Sequence, residues 1–190
     1  MWAVKIIAMK IAKPISLGLL FLIFCQPLAA QEALDSLGLP GEWIGKWAGT
    51  LEIYSLQGKQ QEVPMELHIL PRDSCYTYTI IYGEDREAGK RDYLLKPVKP
   101  ELGWYKIDEQ NTIEMDAYLL NGKMYSRFDV MGSLLLSTAE VKEGVMTYEI
   151  ISGKLEAIRT TGNQTFEGED IPEVNSFPIQ VRQVAYLRRL

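Results

Sequence analysis

The chain has 190 residues, of which 25 are acidic and 20 are Lys or Arg, so its net charge is −5. An acidic surface repels nucleic acid and anionic lipid, and neither is expected as a bulk partner. Two cysteines and one histidine are too few for most metal sites and most nucleophile–base pairs. The composition therefore predicts no metal site, no cofactor and no catalytic residue, and we expect a protein that is not an enzyme.

Residues 1–30 have the three parts of a secretory signal peptide. Three lysines form a basic leader, an apolar run covers 15–24, and small residues precede polar sequence. We expect cleavage near Ala30 and export to the periplasm or beyond. The apolar run is too short to span a bilayer comfortably. An uncleaved membrane anchor and a lipoprotein modified at Cys25 are the alternatives.

The predicted mature chain, 31–190, has the length of one domain. Without the leader lysines it has 17 basic and 25 acidic residues, a net charge of −8. Its one cysteine, Cys75, cannot form an intrachain disulfide, and we expect its thiol to be buried in a strand. No stretch after residue 30 is long enough and apolar enough to cross a membrane as a helix.

A short helix is predicted over 31–39, where a glycine and a proline end it. The stretch 41–55 then alternates as a half-buried strand does, with Trp43 and Trp47 on one side. Glycines beside these tryptophans, such as Gly49, let the strand bend and let a neighbouring backbone come close. A long bent first strand followed by many short strands predicts a barrel.

Strand-like segments with turn signals follow at spacings of about ten residues. The dipeptides Asn121-Gly122 and Ser152-Gly153 are expected to form tight hairpin turns. The prediction is an all-β fold, an antiparallel up-and-down barrel of about eight to ten strands, because closure removes the exposed edges that a sandwich leaves. The polar, acidic stretch 160–176 is too long for a turn. It is either a flexible loop over one barrel mouth or a solvated excursion.

Two Gly-x-Trp triplets, at 41–43 and 45–47, resemble the start of the first strand in lipocalins and related calycins. The resemblance covers the two ends of the mature chain and implies a helix ahead of that strand. It also implies a basic residue of the last strand that packs over a tryptophan. The barrel-closing residues implied in this way are Trp43, Trp47, Arg182 and Arg188. The chain is also similar to small exported proteins of unassigned function from Gram-negative bacteria.

A closed barrel of this size can enclose a small apolar molecule, and Met and Tyr give soft walls with hydroxyl groups. An Arg-x-Tyr triplet at 91–93 also resembles the pair that holds a carboxylate in fatty-acid-binding barrels. The predicted ligand-binding residues share the inward strand phase or this triplet: Leu51, Met65, Tyr76, Tyr78, Arg91, Tyr93, Met115, Phe128 and Tyr148. The alternative is that these side chains fill the interior as solid core.

The sequence thus predicts an exported barrel that binds a small hydrophobic molecule non-covalently. A rival interpretation is a cell-envelope interaction module with a solid core, whose protein partner meets the tyrosine-rich or acidic loops. A haem-binding barrel family also opens with Gly-x-Trp-x-Gly, but its histidine ligand lies in the last strands. This chain has no histidine there, and His68 is expected to face water.

Overall fold

The computed structural model describes residues 37–190, so the predicted signal peptide and most of the predicted helix over 31–39 lie outside the described residues. Two 3-10 turns (Gly41–Trp43 and Pro100–Leu102) and one short helix, α1 (Arg86–Gly89), accompany the strands. The strands are β1 (Gly45–Ser55), β2 (Gly58–Ile69), β3 (Pro71–Arg72), β4 (Cys75–Tyr82), β5 (Lys90–Lys99), β6 (Trp104–Asp108), β7 (Glu114–Leu120), β8 (Lys123–Val130), β9 (Ser133–Lys142), β10 (Val145–Lys154), β11 (Arg159–Thr161), β12 (Gln164–Phe166), β13 (Glu169–Ile171), β14 (Val174–Ser176) and β15 (Val181–Arg189).

Ten of these strands close into an antiparallel barrel. Chain neighbours from β4 to β10 pair in order, β10 pairs with β15, and β15 pairs with β1. The ring closes because β1 also pairs with β2, and β2 pairs with β4. The predicted up-and-down barrel is therefore confirmed, and its strand count lies at the top of the expected range.

Alternation of side chains puts one face of every barrel strand on a common core. In β4, for example, Tyr76, Tyr78 and Ile80 are buried and point inward. The free cysteine Cys75 is buried at the start of the same strand, as expected. Burial of an apolar face on each strand, rather than any long helix, is what stabilises this fold.

Of the two hairpin turns predicted from dipeptides, one is present in the structure and the other is not. Asn121 and Gly122 have φ of 49° and 80°, the left-handed pair that a type I′ turn requires, so this prediction is confirmed. Ser152-Gly153 is not a turn, because β10 continues through it to Lys154. A Cβ at Gly153 would lie 1.8 Å from the Pro178 carbonyl oxygen, so this glycine serves close packing instead.

The stretch 160–176 forms a two-stranded ribbon between β10 and β15. In it β11 pairs with β14, and β12 pairs with β13 nearer the tip. Every residue of these four short strands is exposed. The stretch predicted to be too long for a turn is thus a solvated hairpin with its own pairing.

Gly49 lies where the backbone of β15 closely approaches β1. A Cβ at this position would lie 2.6 Å from the Tyr186 carbonyl oxygen, and backbone cannot move away as a flexible side chain can. We expect Gly49→Ala to lower the free energy of unfolding by about 1–3 kcal/mol through overpacking. Urea unfolding measures the change. Gly41→Ala, where nothing lies within 4 Å, is the control, and equal stability of the two variants would contradict the prediction.

Candidate ligand site in the barrel

A cavity of about 190 Å³ occupies the barrel at the end where β5 begins and β10 ends. The opposite end is closed by the buried Trp43, in the 3-10 turn before the first strand, and by the buried Trp47 of β1. The cavity walls are inward side chains of β4 to β10 and of the turn after β6: Tyr78, Ile80, Tyr82, Arg91, Tyr93, Ile107, Glu109, Met115, Ser126, Phe128, Ser137, Tyr148 and Ile150.

Two small side chains explain why the barrel is hollow here. Ser126 on β8 and Ser137 on β9 are directly opposite each other in the ladder, and both face inward. On its other side Ser137 is paired with Ile150 of β10. The Ser126 hydroxyl donates to the Asp116 carbonyl at 2.7 Å and so needs no partner in the cavity. A pair of serines at positions that elsewhere hold Met or Phe leaves the interior unfilled.

Tyrosine hydroxyls give the cavity its polar character. Burial raises the pKa of Tyr78, Tyr82 and Tyr148 above the ordinary value for a phenol, so all three stay neutral near neutral pH. Tyr82 and Ser137 both hydrogen-bond the Tyr148 oxygen, which moderates the rise in Tyr148. Tyr78 is only 3% exposed, and among residues 37–190 no hydrogen-bond partner reaches its hydroxyl.

One cation and one carboxylate stand at the mouth. The Arg91 Nη1 donates to the carbonyls of Ala88 and Lys90 at 3.0 and 2.7 Å, which fixes the guanidinium beside the opening. Burial raises the pKa of Tyr93, and the neighbouring Glu109 carboxylate, which accepts a hydrogen bond from it, raises it further. The site therefore offers an apolar, neutral interior and a polar, charged rim.

The structure brings together six of the nine predicted ligand-binding residues at this cavity: Tyr78, Arg91, Tyr93, Met115, Phe128 and Tyr148. Their role in binding stays a prediction. The other three, Leu51, Met65 and Tyr76, do face inward, but they are fully packed in the core and do not line the cavity. Alternation specifies the face of a strand that a residue occupies, and it does not specify the height along the barrel.

Several wall residues were missed by the sequence reasoning. Tyr82 and Ile80 share the inward phase of Tyr78, so the same alternation could have found them. Ser126 and Ser137 share the phases of Phe128 and Ala139, but a serine alone gives no sign of an interior position. Glu109 lies in the turn after β6, outside any strand, so the alternation of strand faces could not assign it to the interior.

The arginine that packs over the tryptophan is Arg189, which corrects the choice of Arg182 and Arg188. The Arg189 Cζ lies 4.9 Å from the Trp47 ring centroid, and its Nη2 donates to the Glu42 carbonyl at 2.8 Å. Arg182 pairs with Glu149 on the outer surface, where its Nε is 2.5 Å from Oε1. Arg188 is also exposed, because positions 182 and 188 belong to the outward phase of β15 whereas Leu187 and Arg189 belong to the inward one.

The remaining sequence expectations concern the surface. No residue of 155–180 lines the cavity, so the ribbon matches the solvated excursion and not the loop over the mouth. His68 lies on the outer side of β2, with Nε2 2.7 Å from the Glu66 carboxylate, and does not reach the interior. No helix within residues 37–190 is both long and apolar enough to cross a membrane.

No family model matches the sequence, and neither does any curated protein. Among solved structures, a protein of unknown function from the DUF3598 family of Nostoc punctiforme is similar, with a TM-score of 0.52 and 12% identity. The alignment covers 77% of this chain, which spans about half (48%) of that protein. The chain has a calycin-like barrel fold. The S-type phycobiliprotein lyase CpeS of Guillardia theta superimposes with a TM-score of 0.49 and 8% identity over 85% of this chain and 92% of that one.

At 12% identity the likeness to the DUF3598 protein shows the fold alone. Of the two Gly-x-Trp triplets, the one at 45–47 begins β1, and the one at 41–43 forms the 3-10 turn that precedes it. What the calycin-like barrel holds must therefore be argued from its own cavity.

Proposed function

We propose that the barrel binds a small, largely apolar molecule non-covalently in the cavity between Tyr78, Tyr148 and the mouth. The cavity of about 190 Å³ on the inward faces of β4 to β10 carries this proposal. Apolar and aromatic walls with a few converging polar groups are the usual composition of a small-molecule site. A barrel with a solid core, the rival interpretation, would have large side chains at Ser126 and Ser137.

The size of the cavity limits the ligand. An apolar protein cavity of about 150 Å³ holds one benzene molecule, and this one has about 190 Å³. It therefore suits a single substituted ring or the end of a longer chain. The rest of a longer ligand would extend through the mouth beside Arg91.

The Tyr78 hydroxyl supports a preference for ligands that carry a hydrogen-bond acceptor. This hydroxyl lines the cavity and donates to no protein group of residues 37–190, so it is available to a ligand oxygen placed beside it. Because burial keeps the pKa of Tyr78 high, its phenol is a neutral donor and a poor general base near neutral pH. This chemistry supports binding rather than catalysis.

Export belongs to the same proposal. The basic leader, apolar run and small residues of 1–30 support secretion before the barrel meets its ligand. Mass spectrometry of protein isolated from the envelope fraction of its native cells tests both parts. A mature chain beginning near Gln31 with a co-purified small molecule is expected, and an unprocessed chain in the cytoplasm would contradict export.

A matched pair of ligands tests the role of Tyr78. Acetophenone and ethylbenzene have nearly the same shape, but only the first carries a carbonyl oxygen. We expect both to bind saturably. Tyr78→Phe should lower the affinity for acetophenone about tenfold, because one hydrogen bond to the ligand is lost. Ethylbenzene affinity should not change. Isothermal titration measures both, with the stability of the variant followed by urea unfolding.

The control is Tyr186→Phe, which removes a hydroxyl from the outer surface of β15 and should alter neither affinity. Equal losses for both ligands in Tyr78→Phe would show a change of cavity shape instead of a lost hydrogen bond. Absence of saturable binding for every small aromatic and aliphatic probe would overturn the proposed function itself.

A further inference from the structure

A second concave site lies on the outer surface of the barrel and shares no lining residue with the cavity. It is a groove of about 390 Å³. Its floor is formed by the outward side chains of Leu134, Leu136 and Ile151 on β9 and β10. One wall is the segment 177–179, which leads from the ribbon into β15 and carries Phe177, Pro178 and Ile179. Phe177 and Ile179 are 48% and 60% exposed, so the groove presents apolar surface to solvent.

This wall is fixed to the barrel. The Pro178 carbonyl packs against the backbone of Gly153, where any Cβ would clash. The Gln180 backbone N–H donates to the Ser152 carbonyl at 2.8 Å, and its side-chain oxygen accepts from the Lys154 N–H at 3.1 Å. Phe177 and Ile179 are therefore held over the floor by contacts to β10, so the groove is formed before any ligand arrives.

One cation stands at the groove. Arg127 is the charged residue among its lining and faces outward from β8, directly opposite Leu136. Within residues 37–190 this guanidinium forms no ion pair. On the other side of Ile151, in the same row across the sheet, Arg182 is neutralised by Glu149. Two exposed acidic residues flank Arg127 on this face: Asp129, two positions farther along the strand, and Asp116 on the adjacent β7. The Asp116 carboxylate accepts a hydrogen bond from the Trp104 indole and forms no ion pair with Arg127.

We propose that this groove binds a single-chain amphiphile with an anionic headgroup. The headgroup pairs with Arg127, and the alkyl chain crosses Leu136 and Ile151 beneath Phe177. Three adjacent strands give a path of about 10 Å from Arg127 to the far side of β10, enough for a chain of medium length. A guanidinium beside apolar surface is the arrangement that a detached lipid with a phosphate or carboxylate fits.

The floor favours an alkyl chain over a peptide. Backbone groups of β8, β9 and β10 along the groove are already paired in the sheet ladders. A peptide lying there would leave its own N–H and C=O groups without partners, whereas an alkyl chain has none to satisfy. The acidic character of the chain also disfavours an anionic membrane surface as the source of the headgroup.

Methyl NMR of the purified chain locates the binding site. Decyl phosphate below its micelle concentration is expected to shift the methyl signals of Leu136, Ile151 and Ile179 saturably. Signals of Ile80 and Ile107, which line the cavity, should stay in place. Saturable shifts confined to the two cavity isoleucines, or no saturable shift at all, would overturn the proposal.

Charge and shape are tested separately. Arg127→Gln is expected to lower the affinity for decyl phosphate about tenfold and to leave the affinity for the neutral analogue decanol unchanged. Asp129→Asn should raise the affinity for decyl phosphate, because it removes a negative charge near the headgroup. Phe177→Ser should weaken both amphiphiles because it removes the wall. Arg188→Gln, an exposed arginine at the far end of β15, is the matched control and should bind as the wild type does. Equal affinity of Arg127→Gln and wild type for decyl phosphate would show that no headgroup pairs with Arg127.

Discussion

Replacing Trp47 by alanine is expected to lower the free energy of unfolding by about 3–5 kcal/mol, the usual range for removing a buried tryptophan. The indole is fully buried and lies among core residues at the closed end. Its Nε1–H donates to the Trp43 carbonyl at 3.0 Å, and the Arg189 guanidinium covers its face. Alanine would leave a cavity here, remove a buried hydrogen bond and deprive Arg189 of its stacking partner.

Urea unfolding followed by circular dichroism measures this loss, and Trp104→Ala is the matched control. Trp104 lies on the outward side of β6, stacks on Tyr118 at 6.2 Å between ring centroids and donates to Asp116. Since this indole is half-exposed, we expect its removal to cost only about 0.5–1.5 kcal/mol. A similar loss in both variants would show that closure by the first strand does not dominate the stability of the barrel.

The fold could be predicted because the strands share one sequence feature, the alternation of apolar and polar residues. In β1 and β2, alternation between apolar and polar residues places Trp47, Leu51, Met65 and Leu67 on the core side, and the structure has them there. Closure followed from two long strands at the ends of the chain, and β1 does pair with β15. Periodicity of two is strong evidence whenever one face of a strand is buried.

The site could be predicted only in part, because a cavity depends on which inward side chains lie opposite each other on neighbouring strands. Ser126 and Ser137 create the empty space together, and their pairing is set by the register of the hairpin at Met131 and Gly132. Neither serine alone indicates a hollow interior. The position of Tyr76 below the cavity and Tyr78 within it likewise depends on barrel height, which alternation does not encode.

The error over the closing arginine has a different origin. The phase of β15 was available in the sequence, since Ala185 and Leu187 are the apolar inward positions and Arg189 continues them. The resemblance to calycins gave a residue type near the last strand and not a phase. Alternation then assigns that role to Arg189, with Arg182 and Arg188 outside.

Filling the cavity is expected to abolish binding in the barrel. Ser137→Phe directs a phenyl ring from β9 toward Ser126, into a space of about 190 Å³. That space exceeds the volume of about 150 Å³ that holds one benzene molecule, so the ring fits without severe overpacking. We expect the affinity for acetophenone to fall by at least about tenfold, because ring and ligand compete for one volume, while the barrel stays folded. Titration calorimetry and urea unfolding measure the two effects.

Thr147→Phe is the control, because it adds the same ring to the outer side of β10, where Thr147 is paired with Glu140 and Tyr186. It should leave acetophenone binding unchanged. Ser137→Phe should also leave decyl phosphate binding at the Arg127 groove unchanged, since the two sites share no residue. If Ser137→Phe stays folded and still binds acetophenone as tightly as wild type, the ligand does not occupy the barrel. A loss of both ligands together would instead show that the two sites are coupled through β9.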